Sequence, residues 1–337
     1  MMIQNLLNKA VEDGVFPGCT ACVYANGKLE FFVAGNKENI PNEIVNTIET
    51  SYDIASLSKV VSTSMIAMQF IQEGKLSYDT TIQSILPEFR YNDITIFHIM
   101  THTTGLPADH QWKLGSSKEE IIHDCLTFDL VAPTGTKVIY SDVGYILLGL
   151  ILEKVGNKPL DILAKEMIFE PLGMHNTSYQ ANMDTVCATE VNPFFLNRLM
   201  KGEVHDRKAN MMGGVAGHAG VFSDIEDMSK YLMMLVDQKE IILKKHQFQD
   251  LMTTQTPVGE ISRGIAYLTK DLESPFSELN SDYSILHTGF TGTSIMVDFE
   301  KKIGCVLLSN RIHPTRENKK IIEWRKTFHD CVMKHYL

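Results

Sequence analysis

Strand-like and helix-like segments are sorted along this chain, not mixed: strands cluster near both ends and helices fill the middle. Residues 18–24 and 28–34 flank Asn26-Gly27, a pair that takes up the positive φ values a tight hairpin needs. Strand character returns only at residues 264–268, 294–298 and 304–308. Between them, apolar residues recur at helical spacing over 56–73, 142–155 and from a capping box at Ser223-Asp224-Ile225-Glu226 onward. Amphipathic helices close the chain at both ends, with Ile3, Leu6, Leu7, Ala10 and Val11 in the first and Ile321, Trp324, Phe328 and Val332 in the last. The arrangement predicts an α+β fold: one antiparallel sheet built from both ends of the chain and flanked by the terminal helices, plus an inserted all-helical region. Residues 1–55 and 262–337 form the first unit and 56–261 the second, with a cleft at their junction. The Lys and Arg excess of the last helix is assigned to its solvated face.

Composition removes several functions. The 337 residues carry 31 Lys and Arg against 41 Asp and Glu, a net charge of −10, which speaks against a nucleic-acid partner. The longest apolar run, residues 145–152, is far short of the roughly 20 residues of a membrane span. Lys9, Glu12 and Asp13 interrupt any secretory core near the start, so a cytoplasmic location is expected. Cys19 and Cys22 stand three apart, which in a strand puts them on opposite faces. They are read as buried structural cysteines, and no metal and no cofactor is expected.

Three segments could carry chemistry. In Ser56-Leu57-Ser58-Lys59 a hydroxyl and an amine share one helix face. A desolvated, neutral lysine could remove the serine proton, although the same four residues also suit an ordinary helix start. In Tyr140-Ser141-Asp142, Asp142 suits the N-cap of the helix that follows, leaving Tyr140 on the preceding loop; the plain alternative is a core tyrosine beside a cap. In His287-Thr288-Gly289-Phe290, glycine permits close backbone approach, though a glycine-rich strand turn would read the same.

Taken in order, Ser-x-x-Lys, Tyr-x-Asp and His-Thr-Gly resemble the motif set of the serine β-lactamase and penicillin-binding-protein superfamily, in its class C-like branch. The likeness extends to residues 99–107, to Pro171-Leu172-Gly173-Met174 with Thr177, and to residues 306–311. It implies a β-lactamase/transpeptidase-like fold and a metal-independent serine hydrolase working through an acyl-enzyme. The substrates implied are small esters, amides, β-lactams or peptides, including cell-wall-derived ones. By the same likeness Ser56 is the nucleophile, Lys59 activates it and Tyr140 shuttles protons. The N–H groups of Ser56 and Phe290 form an oxyanion hole, and His287, Thr288, Gly289 and Asp142 border the substrate. A muropeptide amidase or D-amino-acid peptidase is the nearest alternative; a non-catalytic ligand-binding or sensor protein is the alternative from another class. The oligomeric state is not legible.

Two positions depart from the pattern. His287 stands where serine β-lactamases carry a lysine that holds the carboxylate of a β-lactam, and an ordinary imidazole is mostly neutral at pH 7. Asp142 stands where they carry asparagine and cannot donate an amide N–H. Residues 204–220, rich in glycine and including His205, Asp206 and His218, resemble a stretch in a bacterial subgroup linked to muropeptide recycling and esterase activity. They form either a tight structural loop or a wall of the site, and none is assigned a catalytic role. His98 and His102 have the i, i+4 spacing of a zinc pair but read as structural.

Overall fold

A computed structural model describes residues 2–271 and 274–337. Its centre is a seven-stranded sheet. In spatial order the strands are Ile44–Val45, Lys28–Glu38, Gly18–Ala25, Ile303–Ser309, Ser294–Asp298, Ser284–Thr288 and Leu268–Thr269, and every neighbouring pair is antiparallel. The first strand of the chain thus pairs with the last, Cys19 opposite Ser309 through Ala25 opposite Ile303. The hairpin turn is the expected one, with Asn26 at φ 53° and Gly27 at φ 74°.

Alternation along the central strands sends side chains to two separate cores. Cys22, Tyr24, Val306 and Leu308 enter the larger core, which continues into the helical region. Cys19, Ala21, Val23, Cys305 and Leu307 enter the smaller one, beneath Ile3, Leu7, Phe328 and Val332 of helices Met2–Glu12 and Ile321–Tyr336. Cys19 and Cys22 are therefore buried on opposite faces as free thiols, and burial pushes both thiols up. The other face of the sheet is covered by helix Ile225–Val236. This helix packs so closely that a Cβ at Gly304 would lie 2.7 Å from Leu232 and from Val236.

Several local expectations need correction. The helix predicted from residue 56 starts with a π-helical turn, Lys59–Thr63, before the α-helix Ser64–Gln72; such turns cluster at functional sites. Asp142 is not an N-cap: Ser141 caps helix Asp142–Gly156 by accepting from the Gly144 N–H, which leaves the Asp142 carboxylate free. That helix ends on left-handed Asn157, not on Gly156; Gly156 is small because a Cβ there would meet Leu163 at 2.8 Å. The helix near residue 223 is capped by Asp224, while Ser223 pairs with Tyr52 in a small strand pair. The middle of the chain holds a second such pair, Ala188–Asn192 with Arg198–Lys201. Arg325 of the last helix does not face solvent: it is buried and donates to the Gly289 and Thr293 carbonyls at 2.8 and 3.3 Å.

Candidate active site

The turn after strand Ser284–Thr288 meets the loop before the π turn, and their meeting is tight. A Cβ at Gly289 would lie 2.7 Å from the Ile54 carbonyl and 3.4 Å from the Ala55 Cβ. Thr291 and Thr293 donate to the Asp53 and Ile54 carbonyls at 2.7 and 3.0 Å. Ala55 is held at φ 48°, an uncommon conformation for a non-glycine residue, and its N–H donates to the buried Asp53 carboxylate. The strain sits immediately before Ser56. Among the described residues, the Ser56 and Phe290 N–H groups find no acceptor within the protein.

Ser56, Tyr140, Asp142, His287, Thr288, Gly289 and Phe290 all line one cavity of about 570 Å³. Lys59 lies behind Ser56, fully buried. Its Nζ is 3.0 Å from Ser56 Oγ, 2.9 Å from the His218 carbonyl oxygen and 2.8 Å from Asp142 Oδ1, and it lies 5.0 Å from the centre of the Tyr140 ring. Burial would lower the Lys59 pKa, but the charge of Asp142 and the Tyr140 oxygen outweigh it and raise it. Three oxygens within 3.0 Å suit an ammonium and not a free amine. These surroundings differ from the apolar ones in which a desolvated lysine would lose its proton.

Asp142 bridges to a second lysine. Lys208, on the short helix Arg207–Met211, lies 3.1 Å from Asp142 Oδ2, 3.0 Å from Asp206 and 3.0 Å from Asp109. Burial works to raise the Asp142 pKa, but Lys59, His218 and Lys208 prevail and set it at about 2. Asp142, Asp206 and His218 bring ligand-type atoms within 4.8 Å of one another, but the ammonium groups of Lys59 and Lys208 stand on these carboxylates. The glycine-rich stretch lines the site: His205, Asp206 and Ala219 face the cavity, and Gly217 leaves room for the Tyr145 carbonyl and Gly149 backbone against it.

His102 supports Tyr140. Its ring stacks on the tyrosine at 4.4 Å and its Nδ1 accepts from the Ser141 N–H at 2.9 Å. His98 caps its own helix through Thr95. Phe290 is clamped by the His205 ring at 5.5 Å and by Arg311, which donates to its carbonyl at 2.8 Å. His205 in turn contacts Glu190, which accepts from Arg316. His287 is buried, and desolvation together with nearby Arg263 and Lys59 holds its pKa well below the ordinary value. It is neutral where a lysine would be charged. Lys208 was not selected from the sequence and gives no signal of its own; His102 was read there as structural and paired with His98, and its place against Tyr140 gave no signal.

The profile of the family described as "Beta-lactamase" matches residues 3–326. An N-acetylmuramyl-L-alanine amidase of Bacillus subtilis (strain 168) is 27% identical over 95% of this chain and 84% of its own. A Salmonella typhimurium protein named "Putative D-alanyl-D-alanine carboxypeptidase" is 30% identical over 82% of this chain and 72% of its own. Among solved structures, a class C β-lactamase superposes with a TM-score of 0.81 at 19% identity, covering 99% and 97% of the two chains. The chain belongs to the β-lactamase family and is a hydrolase with the β-lactamase/transpeptidase fold. Among the described residues, no helix is long and apolar enough to cross a membrane.

Proposed function

We propose that this protein cleaves the amide bond of a short peptide through an acyl-enzyme on Ser56. The observation that carries the reading is Lys59 Nζ, held at 3.0 Å from Ser56 Oγ by a partly buried carboxylate and a backbone carbonyl. Ser56 Oγ forms a bond to the substrate carbonyl carbon. Its proton passes to the Tyr140 oxygen as that hydroxyl gives its own proton to the departing nitrogen. The carbonyl oxygen takes up negative charge against the free N–H groups of Ser56 and Phe290. Water then repeats the sequence on the ester and releases the acid.

The peptide preference is supported by the amidase and carboxypeptidase names of the relatives. The test is a hydrolysis screen with an acetylated D-alanyl-D-alanine dipeptide, p-nitrophenyl esters and nitrocefin. Ser56→Ala is expected to lower kcat by roughly 10⁴-fold or more, and intact-protein mass should show an acyl adduct on the parent alone. Equal turnover by parent and Ser56→Ala would refute the mechanism.

A further inference from the structure

The loop that carries Ser56 and the turn that carries Phe290 are both bonded to one buried acid. Asp53 is 2% exposed, and among the described residues no lysine or arginine pairs with its carboxylate; main-chain N–H groups take both oxygens. Oδ1 accepts from Ala55 at 2.8 Å and Oδ2 from His205 at 2.7 Å. Its carbonyl oxygen accepts from the Thr291 hydroxyl at 2.7 Å. Asp53 therefore holds the residue before Ser56 and the residue after Phe290. The bond to Ala55 keeps that residue at φ 48°, a conformation disfavoured for any residue with a Cβ.

An aspartate that bonds the N–H two residues on is an ordinary local turn, and Oδ1 needs no other explanation. Oδ2 does, because His205 lies 152 residues along the chain. The imidazole of His205 extends the same contact to the other half of the site. Its ring lies nearly parallel to that of Phe290, 5.5 Å between centres and 13° between planes. Its Nε2 is 2.8 Å from Glu190 Oε2. Glu190 stays ionised down to about pH 2 and can only accept, so Nε2 carries the proton. His205 is thus fixed at its main chain by Asp53 and at its ring by Glu190, and the half-exposed Phe290 side chain rests against it.

We propose that Asp53 and His205 are a pair of positioning residues that fix the spacing and direction of the Ser56 and Phe290 N–H groups. Asp53 sets the serine loop, His205 sets Phe290, and the bond between them joins the two donors into one rigid unit. Donors of this kind lower a barrier only when they already point at the place the oxyanion will take, and a displacement of about 1 Å costs roughly 100-fold in rate. Neither side chain has to touch substrate to have this effect. The inference rests on the two N–H groups receiving the oxyanion, as proposed above.

Phenylboronic acid probes the pair of donors directly. Ser56 Oγ adds to boron, its proton is released to solvent, and the tetrahedral anion sets one oxygen where the substrate oxyanion would lie. Asp53→Asn replaces one accepting oxygen with an NH2 group that opposes a main-chain N–H, and His205→Ala removes the ring beside Phe290. Each is expected to lower kcat on a p-nitrophenyl ester by roughly 30–100-fold with KM within about twofold, and to weaken boronate binding by a similar factor. His205→Phe keeps a flat ring against Phe290 and should bring kcat back to within about threefold of the parent. Rates are normalised to the Ser56 that can be titrated by acylation. A variant that has fewer titratable sites but binds boronate as tightly as the parent overturns the assignment, as does a loss confined to KM, or a His205→Phe variant no better than His205→Ala. If Asp53→Asn does not fold, the two His205 variants decide alone. A parent that binds no boronate and is matched in turnover by Ser56→Ala removes the acyl-enzyme reading itself; unchanged boronate affinity in the variants while Ser56→Ala is inactive removes only the positioning role.

Discussion

Replacing Asp142 with asparagine restores the residue that β-lactamases carry at this position, yet here it should do harm. The carboxylate lies 2.8 Å from Lys59 Nζ and 3.1 Å from Lys208 Nζ. Lys208 keeps Asp109 and Asp206 at 3.0 Å, whereas Lys59 keeps no acid. Removing one partner of a buried ion pair costs about 3–5 kcal/mol, and at 1.36 kcal/mol per pH unit that corresponds to a fall of roughly 2–4 units in the Lys59 pKa. In the parent, the raised Lys59 contributes stability that is present below its ordinary value and lost only as pH rises through the folded one; the lowered Asp142 contributes stability present above its ordinary value and lost as pH falls through about 2. The pair is therefore intact across the neutral range. In Asp142→Asn the alkaline limb of kcat/KM should move down by roughly 2–4 units, into the range of about pH 9–11, where the parent is flat. The assay is the pH profile of an acyl-anilide between pH 6 and 11, with thermal melts recorded alongside. A variant profile that superimposes on that of the parent throughout would refute the idea that Asp142 keeps Lys59 charged.

Other consequences are as direct. Gly289→Ala should lower kcat/KM by about 100-fold while the circular dichroism spectrum is retained, because the added methyl group pushes strand Ser284–Thr288 away from Ile54 and the serine loop. Gly304→Ala should cost about 1–3 kcal/mol of stability through overpacking against Leu232 and Val236, with kcat unchanged; melting curves and kinetics check both parts. Glu190 is pushed up by burial, but His205 and Arg316 bring it down to about 2, so its contribution is present above its ordinary value and fades as pH falls through about 2. Arg316→Ala should therefore raise the midpoint of acid unfolding and weaken the clamp on Phe290, a shift measurable by fluorescence at low pH.

How far the sequence carried the argument depended on whether the signal was local. The Asn26-Gly27 hairpin, the alternation that separates Cys19 from Cys22 and the helix from residue 142 follow from neighbouring residues, and they stand close to where periodicity put them. Ser56 and Lys59 meet because they stand three positions apart along one turn. What was illegible came from contacts across the fold. Nothing around Lys208 announces that it will reach Asp142, and Arg325 reads as one more surface cation until the last helix is laid beneath Gly289. The Ser141 cap was missed because serine and aspartate both suit the position, and only the aspartate's pull toward two lysines decides between them.

The pairing of the first strand with the last has a consequence for biosynthesis. Residues 18–25 wait for residues 303–309 before the middle of the sheet exists, and Gly289 cannot press on the Ser56 loop until the strands on either side of it have emerged. A chain still on the ribosome holds its serine and lysine long before it holds the groove they open into. Activity should therefore arrive all at once at the end of translation, and nascent fragments ending before the last strand should leave passing peptides untouched.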